Sequence, residues 1–100
     1  MIIVTGSVVA RPDAVEEVEA QALAHVRRSR EEPGCLLHSV HRDVEDPNRF
    51  VFIEHWADKA ALATHFQVPA SGAFVEAARA LSSGPTTLEI YEAEAIRSLD

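Results

Sequence analysis

The sequence predicts an α+β domain of the ferredoxin-like kind, in which helices cover one face of a four-stranded antiparallel sheet. The order of its predicted elements is strand, helix, strand, strand, helices and strand, which is a split βαβ repeat. The chain has 100 residues, enough for one hydrophobic core, and its 47% apolar and 25% charged residues are typical of a globular protein. We therefore expect residues 1–100 to form a single domain.

The first strand and the first helix occupy the first third of the chain. Residues 2–10, IIVTGSVVA, are a continuous β-branched run that predicts a strand. Asp13 followed by Glu16 matches a capping box, so a helix is expected to begin there. An apolar stripe at steps of three and four follows, formed by Val15, Val18, Ala22 and Val26. Pro33 and Gly34 are expected to stop this helix.

A hairpin and further helices complete the predicted fold. Strands over residues 35–43 and 49–56 flank EDPN, which has the residue order of a turn. Asp58 is placed to cap a second helix that runs to about Gln67, and Pro69 breaks or restarts the chain. The remaining predictions are a helical face formed by Phe74, Ala77, Ala78 and Leu81 and a last strand over residues 86–94.

The predicted strands are apolar on both faces. In the first strand Ile2, Val4 and Val8 lie on one side while Ile3 and Val9 lie on the other, and the third strand shows the same property. The helices can cover only one face. We therefore expect a second copy of the chain to cover the other face, which gives a homodimer built sheet against sheet.

Charge and cysteine content limit the possible partners and the compartment. The formal net charge is −7, with sixteen acidic against nine basic residues, which argues against nucleic acid or an anionic membrane as a partner. Cys35 is the only cysteine, so no internal disulfide can form and we expect a cytoplasmic protein with an inert thiol. The apolar start of the chain is short and lacks a basic leader, which predicts neither a signal peptide nor a membrane span.

Three of the histidines fall on predicted strands. His38 and His41 are an odd number of residues apart and so lie on opposite faces, while His55 points away from Glu54 and Trp56. No histidine pair has the spacing of a metal site on one strand or helix, so we expect no metal. These three residues are interpreted as polar positions at strand surfaces or at a dimer interface. The sequence leaves open whether His38 or His41 shares a face with Glu54.

His65 and Glu54 are the candidate catalytic residues. His65 lies beside the stripe that packs on the sheet, three residues after Leu62, where it is either a satisfied core residue or a base next to a pocket. Glu54 shares a strand face with Phe52 and Trp56, and a carboxylate in an aromatic stripe needs a partner. Together they form a candidate acid–base pair on a hydrophobic wall.

Weaker candidates surround this pair. Tyr91 on the last strand and Arg79 on the late helix are candidate substrate contacts, although packing and solvation explain such residues equally well. Ser7 interrupts an apolar strand and is placed to face the same cavity, but it has no base beside it and is no nucleophile. The chain contains no phosphate loop, dinucleotide fingerprint or Cys/His cluster, so we expect no cofactor.

Residues 33–69 resemble the antibiotic biosynthesis monooxygenase (ABM) family, and in particular its small quinol-monooxygenase-like members. The shared marks are Pro-Gly-Cys at 33–35, the DPNRF turn, the E-x-W of Glu54 and Trp56, and the L-x-x-H that ends at His65. The resemblance implies a dimeric α+β barrel with a pocket between each sheet and its own helices. It also implies, for some relatives, oxidation of hydroquinones or aromatic polyketides by dioxygen without a cofactor.

The resemblance suggests a function and has limits. A hydroquinone or similar phenol would bind against Phe52, Trp56 and Phe74, and His65, oriented by Glu54, would remove a phenolic proton. The alternatives are an isomerase that uses the same pocket and a dimeric binding or stress-associated protein without turnover.

Of four pocket residues in polyketide-oxidising relatives only the tryptophan is present here. The late helix has no histidine of the kind that binds haem, which argues against haem degradation.

Overall fold

A computed structural model describes residues 1–97 of the chain. Its elements are β1 (Ile2–Val9), α1 (Val15–Ser29), β2 (Cys35–Arg42), β3 (Arg49–Trp56), α2 (Lys59–Gln67), α3 (Pro69–Leu81) and β4 (Thr87–Glu92). The predicted element order is therefore confirmed, and the predicted boundaries differ from these by a few residues at most. No helix within residues 1–97 is long and apolar enough to cross a membrane.

The four strands form one antiparallel sheet in the order β2-β3-β1-β4. The two central strands, β1 and β3, are the first strands of the two βαβ halves. All three helices lie on the same face of the sheet, which confirms the ferredoxin-like α+β fold. The structure describes a single chain, so the predicted homodimer stays a prediction.

The alternation of β3 divides its side chains between the two faces. Phe50, Phe52, Glu54 and Trp56 are all buried against the helices, whereas the residues between them are half-buried on the other face. The partners of these four on β1 are also helix-facing, and they are Val8, Gly6, Val4 and Ile2 in that order. One strand thus supplies both aromatic core residues and a buried carboxylate.

Of the two helix starts predicted from capping residues, that of α2 is confirmed and that of α1 is wrong. Asp58 caps α2, because its Oδ1 accepts a hydrogen bond of 2.8 Å from the backbone N–H of Ala61. The capping box predicted at Asp13 is wrong. The backbone N–H of Ala14 bonds to the carbonyl of Arg11 in a turn, the Asp13 carboxylate accepts from the Arg11 side chain, and α1 begins only at residue 15.

Gly34 joins α1 to β2 at a place where only glycine fits. Its φ of +84° lies in the left-handed region, and a Cβ built on it would lie 2.5 Å from the Cβ of Ala61 on α2. Its carbonyl accepts a hydrogen bond of 2.8 Å from the backbone N–H of Ala57, just before α2. Gly34 therefore sets how closely the start of β2 approaches α2.

Candidate active site

A cavity of about 250 Å³ lies between the sheet and the helices. Phe52 of β3 and Phe74 of α3 form part of its apolar wall, with ring centroids 5.6 Å apart. Its polar end is formed by Glu54, His65 and His25, each at most 6% exposed. The cavity thus combines an aromatic surface with titratable groups shielded from bulk water, as ligand sites commonly do.

Glu54 is held as a carboxylate by its neighbours. Its Oε1 accepts a hydrogen bond of 2.8 Å from Nε1 of Trp56, which lies two residues further along the same strand face. The same oxygen is 3.3 Å from Nε2 of His38 and 3.9 Å from Nε2 of His65. Burial raises the pKa of Glu54, but His38, the Trp56 N–H and His65 lower it by more, so its pKa lies below the ordinary value.

His65 is oriented by a residue from outside the predicted pair. Its Nδ1 lies 2.8 Å from Oε1 of Glu32, in the segment between α1 and β2. A carboxylate can only accept, so Nδ1 carries the proton, and in the neutral ring Nε2 keeps its lone pair. Nε2 is the nitrogen on the side of Glu54. The geometry therefore gives Glu32 the orienting role that was predicted for Glu54, and it places the Glu54 charge where a protonated His65 ring needs it.

His25 of α1 completes the polar end of the cavity. Its ring stacks on Phe74 with centroids 4.3 Å apart and an angle of 8° between the planes. Burial, together with repulsion from His38 and His65, lowers the pKa of His25 to about 3. The ring is therefore neutral at pH 7.

His38 is buried, and its interpretation as a surface or interface residue is wrong. The register pairs His38 with Glu54 and His41 with Val51, so His38 faces the helices at 2% exposure and His41 faces away from them. A bulge near Leu36 leaves this pairing intact, since it falls between Cys35 and Leu37. His38 therefore lies beneath the polar end of the cavity, which it does not line, and it packs edge-on against the ring of His25.

The sequence profile of the antibiotic biosynthesis monooxygenase family matches residues 1–77, which is most of the chain. This chain belongs to the antibiotic biosynthesis monooxygenase family. The cavity lies between the helices and the sheet face that carries Glu54, and His65 reaches it from α2.

Similar proteins support this assignment to the ABM family. "Uncharacterized protein sll1783" of Synechocystis is 38% identical over 91 residues, which are 91% of this chain and 62% of that protein, so this chain spans less than two thirds of that relative. "Putative monooxygenase YcnE" of Bacillus subtilis is 31% identical over 85 residues, 85% of this chain and 90% of that protein. A "putative antibiotic biosynthesis monooxygenase" from Deinococcus radiodurans, solved as a crystal structure, matches over both whole chains with a TM-score of 0.92 and 29% identity.

Some of the predicted site residues of this ABM protein meet at the cavity. Those that line it are Glu54, His65, Phe52, Phe74 and Arg79. Trp56 is completely buried and does not line the cavity; it packs under the His65 ring with centroids 4.6 Å apart and supplies the N–H that binds Glu54. Trp56 thus contacts the candidate catalytic pair rather than the cavity itself.

Tyr91 and Ser7 lie on the opposite face of the sheet. Tyr91 pairs with Ile3, is 46% exposed, and donates its hydroxyl hydrogen bond to Glu89, so its side chain is outside the cavity. Ser7 borders the cavity, but the register places its side chain on the outer face, where it shares a hydrogen bond of 2.6 Å with Thr87. The side chains of both residues point away from Glu54 because strand residues alternate between faces.

Three residues of the site were not identified from the sequence. His25 continues the apolar stripe of α1, seven residues after Val18 and three after Ala22, so its periodicity could have shown that it is buried. His38 needed the strand register, which the hairpin alone leaves open. Glu32 lies outside the helices and strands, and no periodic signal marks it.

Proposed function

We propose that this protein is a monooxygenase that oxidises a hydroquinone or a related phenolic small molecule with dioxygen and without an organic cofactor. The observation that carries the proposal is the orientation of His65, whose Nδ1 is bound by Glu32 so that Nε2 is free to accept a proton beside an aromatic cavity. Membership of the ABM family supports the same reaction class.

In the proposed first step His65 takes the proton of a phenolic hydroxyl. The imidazolium that forms is stabilised by two carboxylates, Glu32 at 2.8 Å from Nδ1 and Glu54 at 3.9 Å from Nε2. Phe52 and Phe74 offer the faces against which an aromatic ring packs. Glu54 and His65 are buried and the Glu32 side chain is 18% exposed, so this charge separation is largely shielded from bulk water, where it would be screened.

The electrons for the reaction come from the substrate itself. The phenolate gives one electron to dioxygen, and the resulting radical pair combines into a carbon-bound hydroperoxide. Loss of water from this hydroperoxide leaves a hydroxyquinone, so that a hydroquinone and one dioxygen yield a hydroxyquinone and one water. One oxygen atom of dioxygen enters the product and the other leaves as water, and the two hydrogens that the substrate loses end in that water.

The experiment is dioxygen uptake with a panel of substituted hydroquinones, in chelator-treated protein. His65→Ala is expected to lower kcat/KM by about 10²- to 10⁴-fold, because a positioned base is lost. Thr64→Ala is the matched control, since Thr64 is exposed on α2 next to His65 and should leave the rate unchanged. Circular dichroism checks that both variants fold.

Two outcomes would contradict the proposal. Equal rates for wild type and His65→Ala would remove the base from the mechanism. Substrate conversion that continues without dioxygen would instead indicate an isomerase that uses the same cavity. Labelled dioxygen adds a direct measurement, because one label per product molecule is expected from the reaction as written.

We also propose that the protein works as a homodimer built through the outer face of its sheet. That face carries the half-buried Ile3, Val9, Val51 and Ile53 together with Leu37, which is 40% exposed. Such an apolar surface on a small domain needs a cover, and a second copy supplies one by two-fold symmetry. Light scattering after size exclusion should give twice the chain mass of 10.9 kDa, and Ile53→Glu should shift it to the monomer.

A further inference from the structure

Three imidazole rings from three different elements meet beside the polar end of the cavity, which His25 and His65 line. They belong to His25 of α1, His38 of β2 and His65 of α2, and one ring nitrogen of each lies within 4.8 Å of the others. All three side chains are at most 5% exposed. Their ring centroids are 5.2 to 5.6 Å apart, so no apolar side chain separates them.

His38 has buried nitrogens that the rest of the described chain does not satisfy. Neither Nδ1 nor Nε2 makes a hydrogen bond with any group in residues 1–97, although both are shielded from solvent. Nε2 is 3.3 Å from Oε1 of Glu54, close enough for an ionic contact but without hydrogen-bond alignment. A buried polar atom without a partner destabilises the fold, so such an atom in a folded protein is a candidate ligand atom.

We propose that His25, His38 and His65 bind a divalent late first-row transition-metal ion, of which Zn²⁺ is the simplest probe, with an open position toward the cavity. Imidazole nitrogens suit these metals, and three of them with one open position form a common site in metalloenzymes. Tetrahedral zinc with bonds of about 2.1 Å holds its ligand nitrogens about 3.4 Å apart. Small side-chain rotations would close the present separation of up to 4.8 Å.

The surroundings of the three rings suit metal binding. Glu32 accepts from Nδ1 of His65, which is the carboxylate–histidine arrangement that orients a metal ligand and leaves Nε2 to bind the ion. Glu54 adds a buried negative charge within 4 Å of two of the rings, which attracts a cation.

The proposed metal site does not depend on the proposed oxidation. The two proposals share one atom, Nε2 of His65. The nitrogen that would bind the ion, Nε2, is the one assigned as base in the metal-free protein. A bound Zn²⁺ would take that lone pair. Zinc is therefore expected to inhibit the proposed oxidation in wild type, and the inhibition should be weaker in His25→Gln and His38→Gln.

The test uses tag-free protein in equilibrium dialysis against Zn²⁺, followed by metal analysis, with Co²⁺ absorption as a second probe of coordination. One ion per chain is expected, and Co²⁺ should give the intense visible bands of a tetrahedral site. His25→Gln, His38→Gln and His65→Gln should each weaken binding by at least about 100-fold, and Glu32→Gln by about 10- to 100-fold. His41→Gln and His55→Gln are matched controls outside the cluster and should bind like wild type.

The possible results distinguish an ion bound by the three histidines from an ion bound elsewhere and from no binding. Wild type that retains no zinc would overturn the site, as would binding that survives in both His25→Gln and His65→Gln. Binding lost in His41→Gln or His55→Gln would place the ion elsewhere and would also overturn it. Because His38 is fully buried, His38→Gln counts only if circular dichroism shows a folded chain, and the other two variants decide the question without it. None of these readouts requires substrate turnover.

Discussion

The space between sheet and helices has two halves that differ in chemistry although the same strand passes through both. In the apolar half, Phe50 and Phe52 of β3 join a cluster built mainly from aliphatic and aromatic side chains of α1, α3 and β1. In the polar half, the next two buried residues of the same strand face are Glu54 and Trp56, and three histidines lie around them. The period of the strand is unchanged, and only the identity of the buried residues changes.

The difference shows how this small domain separates stability from chemistry. In the apolar half, each contact between packed side chains stabilises the folded state, and no polar side-chain atom there has to find a hydrogen-bond partner. The polar half buries a carboxylate and three imidazoles, which are costly to desolvate and are only partly compensated by hydrogen bonds. We expect the two halves to respond differently to substitution and to pH.

The largest effect on stability is expected in the apolar half. Phe50 is 2% exposed, and Phe50→Ala removes a ring from a packed cluster and leaves a cavity. The free energy of unfolding should fall by about 3–5 kcal/mol, measured by urea denaturation. A loss below about 1 kcal/mol would mean that this half does not carry the stability assigned to it.

Acid should destabilise the polar half selectively. The unfolded chain protonates His25 near pH 6.5, whereas in the folded chain the pKa is about 3, so between these values only the unfolded state takes up the proton. The resulting contribution is full above pH 6.5 and is lost as pH falls toward 3. From pH 7.5 to 5.0 it amounts to about 2 kcal/mol. The lowered pKa of Glu54 acts in the same direction at still lower pH.

His25→Gln isolates this contribution. Urea denaturation at both pH values, with EDTA present, should show a loss of stability on acidification that is about 2 kcal/mol smaller in the variant than in wild type. Thr64→Ala serves as the control, because Thr64 is exposed and its side chain does not titrate, so its loss should leave the pH dependence unchanged. An identical pH dependence in wild type and His25→Gln would show that burial does not keep His25 neutral.

The smallest effect is expected for charges at the surface beside the apolar half. Arg42 and Glu19 form an ion pair of 2.8 Å, with side chains 40% and 53% exposed. Solvent screens such a pair, so Glu19→Gln should change the free energy of unfolding by less than about 1 kcal/mol. A larger loss in urea denaturation would show that surface charge, and not only packing, stabilises this half.

The fold was predictable because its signals are periodic and local. The two-residue alternation of FVFIEHW and the three- and four-residue stripe of α1 each fix a buried face, and turn residues separate them. The start of α1 was misplaced because Asp13 has a competing partner in Arg11. A capping pattern predicts which residue can cap, and the turn before the helix decides where the helix begins.

The candidate site was predictable only where its residues share an element or a motif. Glu54 was found because it is an acid on an aromatic strand face, and His65 because it adjoins an apolar stripe. His38 and Glu32 reach them through strand register and through a segment outside the helices and strands, which are non-local features. A search for metal-ligand spacing along one element could not find three histidines that come from α1, β2 and α2.

Gly34 shows how a residue with no side chain can control the position of one that has chemistry. A methyl group there would meet Ala61, four residues before His65 on α2, and the helix would have to move away. The imidazole would move with it and lose its reach to Glu32 or Glu54. A redesign of this pocket for new substrates should therefore keep this linker, since a single carbon atom added outside the cavity would displace the reactive nitrogen within it.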